Sequence, residues 1–182
     1  MIDPAYGEVQ RFFFAFPEKT PSLTQLAQAL SMNKGTASRV VRRLEDEGFL
    51  AVEVLGRIWR ITCSPEHAYH RTRKVPYHVS LILDSGIVER IRNAHPMGAI
   101  ILYGSVRKGD DVESSDIDLA IESNSDRIES FGTIDLGYRA SVPVNVRFFS
   151  RKRIDPHLFS NIGNGIVLDG FLEVYAGQKA GS

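Results

Sequence analysis

The feature of this sequence that most constrains its fold is a fixed succession of residues between positions 99 and 121. An apolar run, Ala99–Tyr103, leads into Gly104-Ser105; ten residues follow, and then Asp116-Ile-Asp118 opens a second apolar run. Apolar runs of this length, bounded by glycine and polar residues, predict β-strands. Because side chains alternate along a strand, Asp116 and Asp118 should project from one face and the isoleucine between them from the other. Two such carboxylates beside a glycine-led turn suit a divalent metal that bridges a polyphosphate, so this stretch predicts a nucleotide site.

The spacing resembles the Gly-Ser, ten residues, Asp-x-Asp signature of the DNA polymerase β-type nucleotidyltransferase superfamily, and most closely its minimal nucleotidyltransferases. Lys108-Gly109 and Ser115–Leu119 follow in family order, and Gly163–Gly170 is similar to the closing strand of these enzymes. The resemblance implies a small mixed-sheet nucleotidyltransferase-like domain, which we place at residues 81–176.

The resemblance also implies a reaction and a set of roles. A hydroxyl would attack the α-phosphate of a nucleoside triphosphate, most simply ATP, and release pyrophosphate, with Mg²⁺ or Mn²⁺ ions bound. In related minimal enzymes the acceptor can be a protein hydroxyl, notably on a partner HEPN-domain toxin. The implied site residues are Asp116 and Asp118 for catalysis and metal binding, Gly104 and Ser105 for the β- and γ-phosphates, and Arg107 or Lys108 for an added positive charge.

One element departs from the family pattern. The family places a third carboxylate on a later strand, and the matching stretch, Val142–Phe149, has Asn145 at that position by its alternation. Asparagine offers a neutral carbonyl oxygen that can coordinate a metal, but it cannot act as a general base. Asp135 would substitute if its run pairs as a neighbouring strand, and Glu122 is in phase with the other two acids but further along. Whether the domain is catalytically active is therefore open.

The N-terminal third, residues 1–66, has the order of a winged helix-turn-helix. A helical stripe in Tyr6–Phe16 is followed by a capping-box sequence at Ser22–Gln25, and Asn33 is a plausible cap for a third helix over 34–47. Two β-rich runs around Leu55-Gly56 then predict a hairpin. Leu23–Leu50 is similar to MarR-like transcription regulators, and the fold class expected for the whole chain is α+β.

Such a domain would lay its second motif helix in the major groove of DNA. The side chains expected to approach bases or phosphates are Ser38, Arg39, Arg42 and Arg43 on that helix and Arg57 at the wing. The alternative is that these arginines are an ordinary solvated face of a dimerisation or docking module.

Between these parts, residues 64–78 lack clear periodicity and contain two prolines, Pro65 and Pro76, which predicts an irregular linker that we place at residues 67–80. His67, His70 and His78 fall in or near it, but no carboxylate or cysteine pattern accompanies them, so a solvated basic linker is favoured over a metal site. Residues 177–182 are small and polar and predict a flexible tail.

Composition sets broad limits on function. Lys plus Arg and Asp plus Glu are 22 each, so net charge favours neither nucleic acid binding nor its absence. Cys63 is the only cysteine, which excludes an intrachain disulfide. No stretch is apolar enough for a membrane span and the N-terminus lacks a signal pattern, so a cytoplasmic protein is expected.

These observations lead to two hypotheses. The first is a DNA-associated nucleotidyltransferase that moves a nucleoside monophosphate from an NTP to a hydroxyl acceptor with Mg²⁺. The alternative is a transcription regulator whose nucleotidyltransferase-like domain is an inactive sensor or dimerisation unit. A homodimer is compatible with both.

Overall fold

Three helices and a hairpin make up the N-terminal part of the chain in a computed structural model that describes residues 3–172. The elements are α1 (Pro4–Ala15), α2 (Leu23–Ala29), α3 (Lys34–Asp46), β1 (Leu50–Leu55) and β2 (Ile58–Cys63). Side chains of Asp3, Ser22 and Asn33 accept hydrogen bonds from the first turns of the three helices, and Ser22 and Gln25 cap each other's backbone reciprocally. The predicted winged helix-turn-helix order is confirmed.

The core of this part comes from the apolar stripes of all three helices. Phe13, Leu26, Leu44, Phe49 and Ile61 are fully buried against one another. Each large apolar side chain buried in this way contributes about 1.5–3 kcal/mol to stability. The outward face of α3 therefore carries no part of the core.

The segment predicted to be an irregular linker is largely helical. A single π-helical turn, His70–Lys74, continues directly into α4 (Val75–Asp84). The prediction was wrong over residues 70–80 because Pro76 lies in the first turn of α4, where a backbone N–H has no helical partner in any case. Buried Val75, His78 and Ile82 then follow helical spacing. The division of the chain at 67–80 stays a prediction.

The second part is built on a five-stranded mixed sheet. Its elements are α5 (Ile87–Ala94), β3 (Ile100–Tyr103), α6 (Gly104–Lys108), β4 (Ile117–Glu122), β5 (Arg127–Leu136), β6 (Arg139–Phe149), α7 (Pro156–Gly163) and β7 (Ile166–Asp169). The strand order is β5-β6-β4-β3-β7; β4 and β6 are parallel and the other neighbours antiparallel. The predicted mixed sheet, with β7 as its closing strand beside β3, is confirmed.

The two faces of this sheet are covered differently. One face packs on α4 and α5 through a large apolar cluster that includes Leu119 and Val144. The other face packs on α7 through a smaller cluster around Ala120 and Phe149. Since the smaller cluster covers only part of its face, polar side chains occupy the same face beyond it. These polar side chains form the site described below.

The two parts touch directly along α1 and the β5–β6 turn. The Tyr138 hydroxyl donates a hydrogen bond to Glu8, and the Tyr138 ring lies edge-on to Phe12 at 6.3 Å between centroids. Lys19 forms an ion pair with Glu113 at 3.3 Å. The N-terminal part therefore rests against the loop that precedes β4.

The predicted tail, residues 177–182, lies outside the described residues. Within residues 3–172, none of the helices has the length and apolar character needed to cross a membrane.

Candidate functional site

Three polar side chains form a row across the middle of the sheet. Tyr103 on β3 pairs with Asp118 on β4 in the antiparallel register, and Asp118 pairs with Asn145 on β6 in the parallel register. Directly paired residues project to the same face, so the three side chains lie side by side on the α7 face. Asp116 lies immediately before β4, not within it as the alternation argument assumed. It still reaches the row, because the Asn145 amide Nδ2 donates to Asp116 Oδ2 at 3.0 Å.

The two carboxylates carry negative charges that no ion pair among the described residues neutralises. Among the described residues, neither Asp116 nor Asp118 forms an ion pair with a basic side chain. Burial raises the pKa of Asp118, and the charge of Asp116 raises it further, while Arg147 opposes the shift. Close carboxylates that repel each other are the environment a divalent cation relieves.

Gly104 brings the start of α6 against this pair. Its φ is +75°, and a Cβ added there would lie 2.6 Å from Asp118 Oδ2. Only glycine combines the left-handed backbone conformation with so close an approach. The predicted Gly-Ser turn is the first turn of the short helix α6, so the backbone N–H groups of Gly104 and Ser105 have no partners within the helix.

The expected cations do not lie where the sequence suggested. Arg107 is half-buried with its Nε unbonded among the described residues, Lys108 is exposed, and no described contact joins either to the carboxylates. The cation that acts on Asp118 is Arg147, which also opposes the rise that burial causes in the pKa of Tyr103. Sequence reasoning missed Arg147, although it lies two residues after Asn145 and the same alternation places it on the same face.

Asn145 holds the position of the third carboxylate, and neither alternative acid replaces it. Asp135 is exposed and accepts a hydrogen bond from the Ser141 N–H at 2.9 Å, and Glu122 pairs with Arg151 at 2.7 Å. Across residues 3–172 there is no group of three or more His, Cys, Asp or Glu side chains arranged to hold a metal ion. The site therefore offers two carboxylates and one amide oxygen.

The histidines near the predicted linker have structural partners. His67 Nε2 lies 3.1 Å from the Glu47 carbonyl oxygen, and His70 Nε2 lies 3.1 Å from the Ser64 carbonyl oxygen. His78 is buried beside Asp111. The expected solvated linker was wrong at His70 and His78, because both rings are buried.

A buried ionic cluster holds the loop that carries Asp116. The Asp111 carboxylate lies 2.9 Å from Lys74 Nζ and 3.0 Å from Arg139 Nη2, and all three side chains are almost fully buried. Arg139 also donates to the carbonyl oxygens of Val112 and Ser115. Burial lowers the pKa of Lys74, and the charge of Asp111 opposes that shift. The cluster thus fixes the backbone one residue before Asp116.

Gly109, the second glycine of the motif, explains how the helix that contains Lys74 comes close. Its φ is +82°, and a Cβ there would overlap the His70 carbonyl oxygen. The basic-Gly pair therefore allows the π-helical turn to pack directly on the end of α6.

On the winged helix, the arginines predicted to bind DNA are paired with acids. Arg39 lies 3.0 Å from Asp3, Arg42 lies 2.7 Å from Glu45, and Arg43 lies 3.2 Å from Glu47. Arg42 also stacks over the Trp59 ring of β2 at 4.3 Å. Asp3 and Glu47 lie outside α3, so the pattern of the helix alone does not predict these two ion pairs. All three guanidinium groups are exposed, so these ion pairs contribute little and can exchange for phosphate.

The remaining predicted DNA contacts flank this face. Ser38 is half-exposed on α3, and Arg57 is exposed in the turn of the hairpin. Within the described residues Arg57 has no ion pair. The wing and α3 thus present exposed cations on one side of the domain, and their role in DNA binding stays a prediction.

Two regions of the chain match known families. Residues 18–53 match the MarR family, and residues 84–167 match the nucleotidyltransferase domain family. The chain carries a MarR family domain followed by a nucleotidyltransferase domain. The second match spans Gly104, Asp116, Asp118 and Asn145, so the row of polar side chains belongs to the nucleotidyltransferase domain. No curated protein matches the chain.

Proposed function

We propose that the nucleotidyltransferase domain binds an NTP, with ATP the expected nucleotide, together with Mg²⁺ or Mn²⁺, and transfers the nucleoside monophosphate to a hydroxyl acceptor. The MarR family domain binds DNA in this proposal. The observation that carries it is the pair of neighbouring carboxylates, Asp116 and Asp118, that lacks a basic partner in the described residues and abuts Gly104. The match to the nucleotidyltransferase domain supports transfer chemistry in general.

The residues present fit a bound cation. Asp116 and Asp118 supply carboxylate oxygens, and the Asn145 carbonyl oxygen becomes available when its amide turns away from Asp116. A bound Mg²⁺ supplies charge neutralisation at the phosphates and aligns the reacting groups. The N–H groups of Gly104 and Ser105 would bind the terminal phosphates.

In the transfer step, the acceptor oxygen forms a bond to the α-phosphorus while the bond from that phosphorus to the bridging oxygen of pyrophosphate breaks. The acceptor hydroxyl loses its proton. Asn145 cannot take that proton, so it passes to solvent or to another base. We therefore expect slow transfer compared with tight nucleotide binding.

Calorimetric titration with Mg²⁺ and ATP tests the site. Asp116→Ala/Asp118→Ala should weaken Mg²⁺-dependent ATP binding more than about tenfold, because both carboxylate ligands are removed. Asp135→Ala is the matched control, since it removes an exposed carboxylate outside the row. Wild-type protein that binds no ATP with Mg²⁺, or a double variant that binds as tightly as wild type, contradicts the proposal.

A second candidate function, a transcription regulator with an inactive nucleotidyltransferase domain, is favoured by Asn145 alone. Asn145→Asp restores the third carboxylate next to Asp118. If radiolabelled nucleotide is transferred only by this variant, the native domain is a sensor and not an enzyme. Robust transfer by the native protein eliminates this candidate.

DNA binding is tested by the salt dependence of affinity. Arg39→Ala/Arg42→Ala should weaken DNA binding and reduce the slope of log K against log salt, because each lost phosphate contact lowers that slope by about 1. Lys152→Ala/Arg153→Ala removes two charges from an exposed turn of the other domain and is the control. Equal slopes for all three proteins would show that α3 does not read DNA.

The acceptor in this proposal is a separate macromolecule or a second copy of the chain. A protein hydroxyl, such as that of a HEPN-type toxin, remains our expected acceptor by resemblance. Transfer of labelled nucleotide into a protein band, with and without the candidate toxin, identifies it.

A further inference from the structure

A cavity of about 300 Å³ lies between the two domains, next to the carboxylate site. Phe16, directly after α1, forms one wall, and the β5–β6 turn and the loop before β4 form the others. The residues that line the cavity include Phe16, Ser114, Asp116, Tyr138, Arg139 and Pro143. Asp116 is at once a wall of the cavity and a member of the carboxylate pair, so the cavity opens on the reacting centre.

The position of the cavity fits one part of the substrate. Gly104 and Ser105, which would bind the terminal phosphates, follow β3, on one side of β4. The cavity is lined by Pro143 of β6 and by residues 138–141, on the opposite side of β4. With the α-phosphate of an NTP at Asp116 and Asp118 and its β- and γ-phosphates toward β3, the space on the β6 side of β4 is left for the nucleoside and for the acceptor hydroxyl, which attacks opposite the pyrophosphate.

The lining suits a flat aromatic group with polar edges. The rings of Phe16 and Tyr138 provide apolar surface, and Ser114 provides a hydroxyl at the rim. Arg139 is 4% exposed, and its Nε is buried without a hydrogen-bond partner in the described part of the chain. Because Arg139 is held by Asp111 and by the carbonyl oxygens of Val112 and Ser115, its guanidinium group is a fixed, positively charged part of the cavity wall.

We propose that this interdomain cavity binds the base and sugar of the NTP, so that the N-terminal part of the chain completes the nucleotide site. The inference rests on the proposed function and specifies its substrate contacts. The volume of this open cavity is at the lower end of the range for small-molecule sites, which suits a nucleoside.

Contacts beside the cavity keep Phe16 in place. Lys19 lies over the Phe16 ring at 3.6 Å and reaches across to Glu113 at 3.3 Å. Phe12 packs on both Phe16 and Tyr138. Phe16 is thus held next to the loop that ends at Asp116.

The test compares two probes, ATP and inorganic tripolyphosphate, each titrated with Mg²⁺ by calorimetry. Phe16→Ala removes an aromatic wall, and Ser114→Trp fills the cavity from an exposed turn. Both variants should weaken ATP binding about tenfold, since an aromatic contact to a base is lost or blocked, and should leave tripolyphosphate binding within about twofold of wild type. Ser80→Trp, at an exposed position of α4, is the control for added bulk.

Retained tripolyphosphate binding shows that each variant is folded at the phosphate site. If both variants keep the wild-type ratio of ATP to tripolyphosphate affinity, the cavity does not hold the nucleoside, while the proposed function stands. Transfer that falls with ATP affinity unchanged assigns the cavity to the acceptor and also overturns the inference. Wild-type protein that binds neither probe with Mg²⁺ ends the proposed function and the inference together.

Discussion

A methyl group added at Gly104 would overlap a carboxylate oxygen of Asp118. The overlap matters because Asp118 is already constrained on its other side by strand pairing with Asn145. Rotating the carboxylate away would still leave the Asp118 Cβ 3.3 Å from the added methyl group, and β4, whose apolar side chains are fully buried, resists the shift that would relieve this contact. The glycine therefore fixes the distance between the first turn of α6 and the carboxylate pair.

Gly104→Ala should reduce Mg²⁺-dependent ATP affinity more than about tenfold, because the Cβ displaces Asp118. The positive φ adds a backbone cost of about 1–3 kcal/mol in stability. Gly132→Ala is matched for that cost, since its φ is +86° and a Cβ there meets nothing within 4 Å. Measured by calorimetry and urea unfolding, the two variants should lose similar stability while only Gly104→Ala loses ATP affinity. A loss of affinity shared by both variants would mean that strain alone explains it.

Among the elements, the π-helical turn lies between the two domains and buries two polar side chains. His70 and Lys74 of this turn and His78 of α4 are almost fully buried. Burial and the nearby charge of Lys74 lower the pKa of His70 to about 4 and that of His78 to about 3. Both rings are therefore neutral in the folded protein at neutral pH.

These shifts make the protein less stable in mild acid. A histidine whose folded-state pKa lies below its unfolded value of about 6.5 stabilises the fold fully above pH 6.5, and that stabilisation is lost as the pH falls toward the folded-state pKa. Between pH 7.5 and pH 5.0 the free energy of unfolding should drop by up to about 2 kcal/mol for each histidine. In urea titrations, this drop in the free energy of unfolding should be smaller in His70→Gln than in the wild type by about 1–2 kcal/mol. An equal pH dependence in the variant and wild type would contradict the buried, neutral state of His70.

At the scale of the whole molecule, the two domains meet through α1, Lys19 and the β5–β6 turn, and a cavity remains between them. Their contact places the first domain beside the loop that ends at Asp116. A ligand bound at the carboxylate pair should consequently stabilise both domains and not only the one that supplies most of the site.

The chain has one tryptophan, Trp59, which lies on the hairpin of the N-terminal part. Mg²⁺-ATP at about 100 times its dissociation constant stabilises the folded state by about 2.7 kcal/mol. We expect thermal unfolding followed by Trp59 fluorescence to shift to higher temperature with Mg²⁺-ATP. Asp118→Ala, which lacks one metal ligand, should show no shift. If Mg²⁺-ATP raises the unfolding midpoint measured by circular dichroism of the whole chain but not the midpoint measured by Trp59 fluorescence, the domains unfold independently.

Much of the fold was predictable because its signals are local. Helix caps such as Ser22 with Gln25, and the Gly-Ser to Asp-x-Asp spacing, lie within short stretches of chain. Asn145 was placed correctly by alternation along a single strand. What sequence reasoning missed depends on distant partners: the ion pair of Asp3 with Arg39, the cluster of Asp111 with Lys74 and Arg139, and the helical turn in the predicted linker. No local pattern predicts which distant charges meet in a folded core.

The insertion of β6 between β4 and β5 sets the order in which the site can be assembled during synthesis. Asp116 and Asp118 leave the ribosome well before Asn145 and Arg147, and until then β4 has an unpaired edge. The strand that fills this edge is parallel and non-local, and such pairing forms slowly. A nascent chain that stops at the β5–β6 turn therefore contains the whole Gly-Ser to Asp-x-Asp stretch but has not yet formed the nucleotide site.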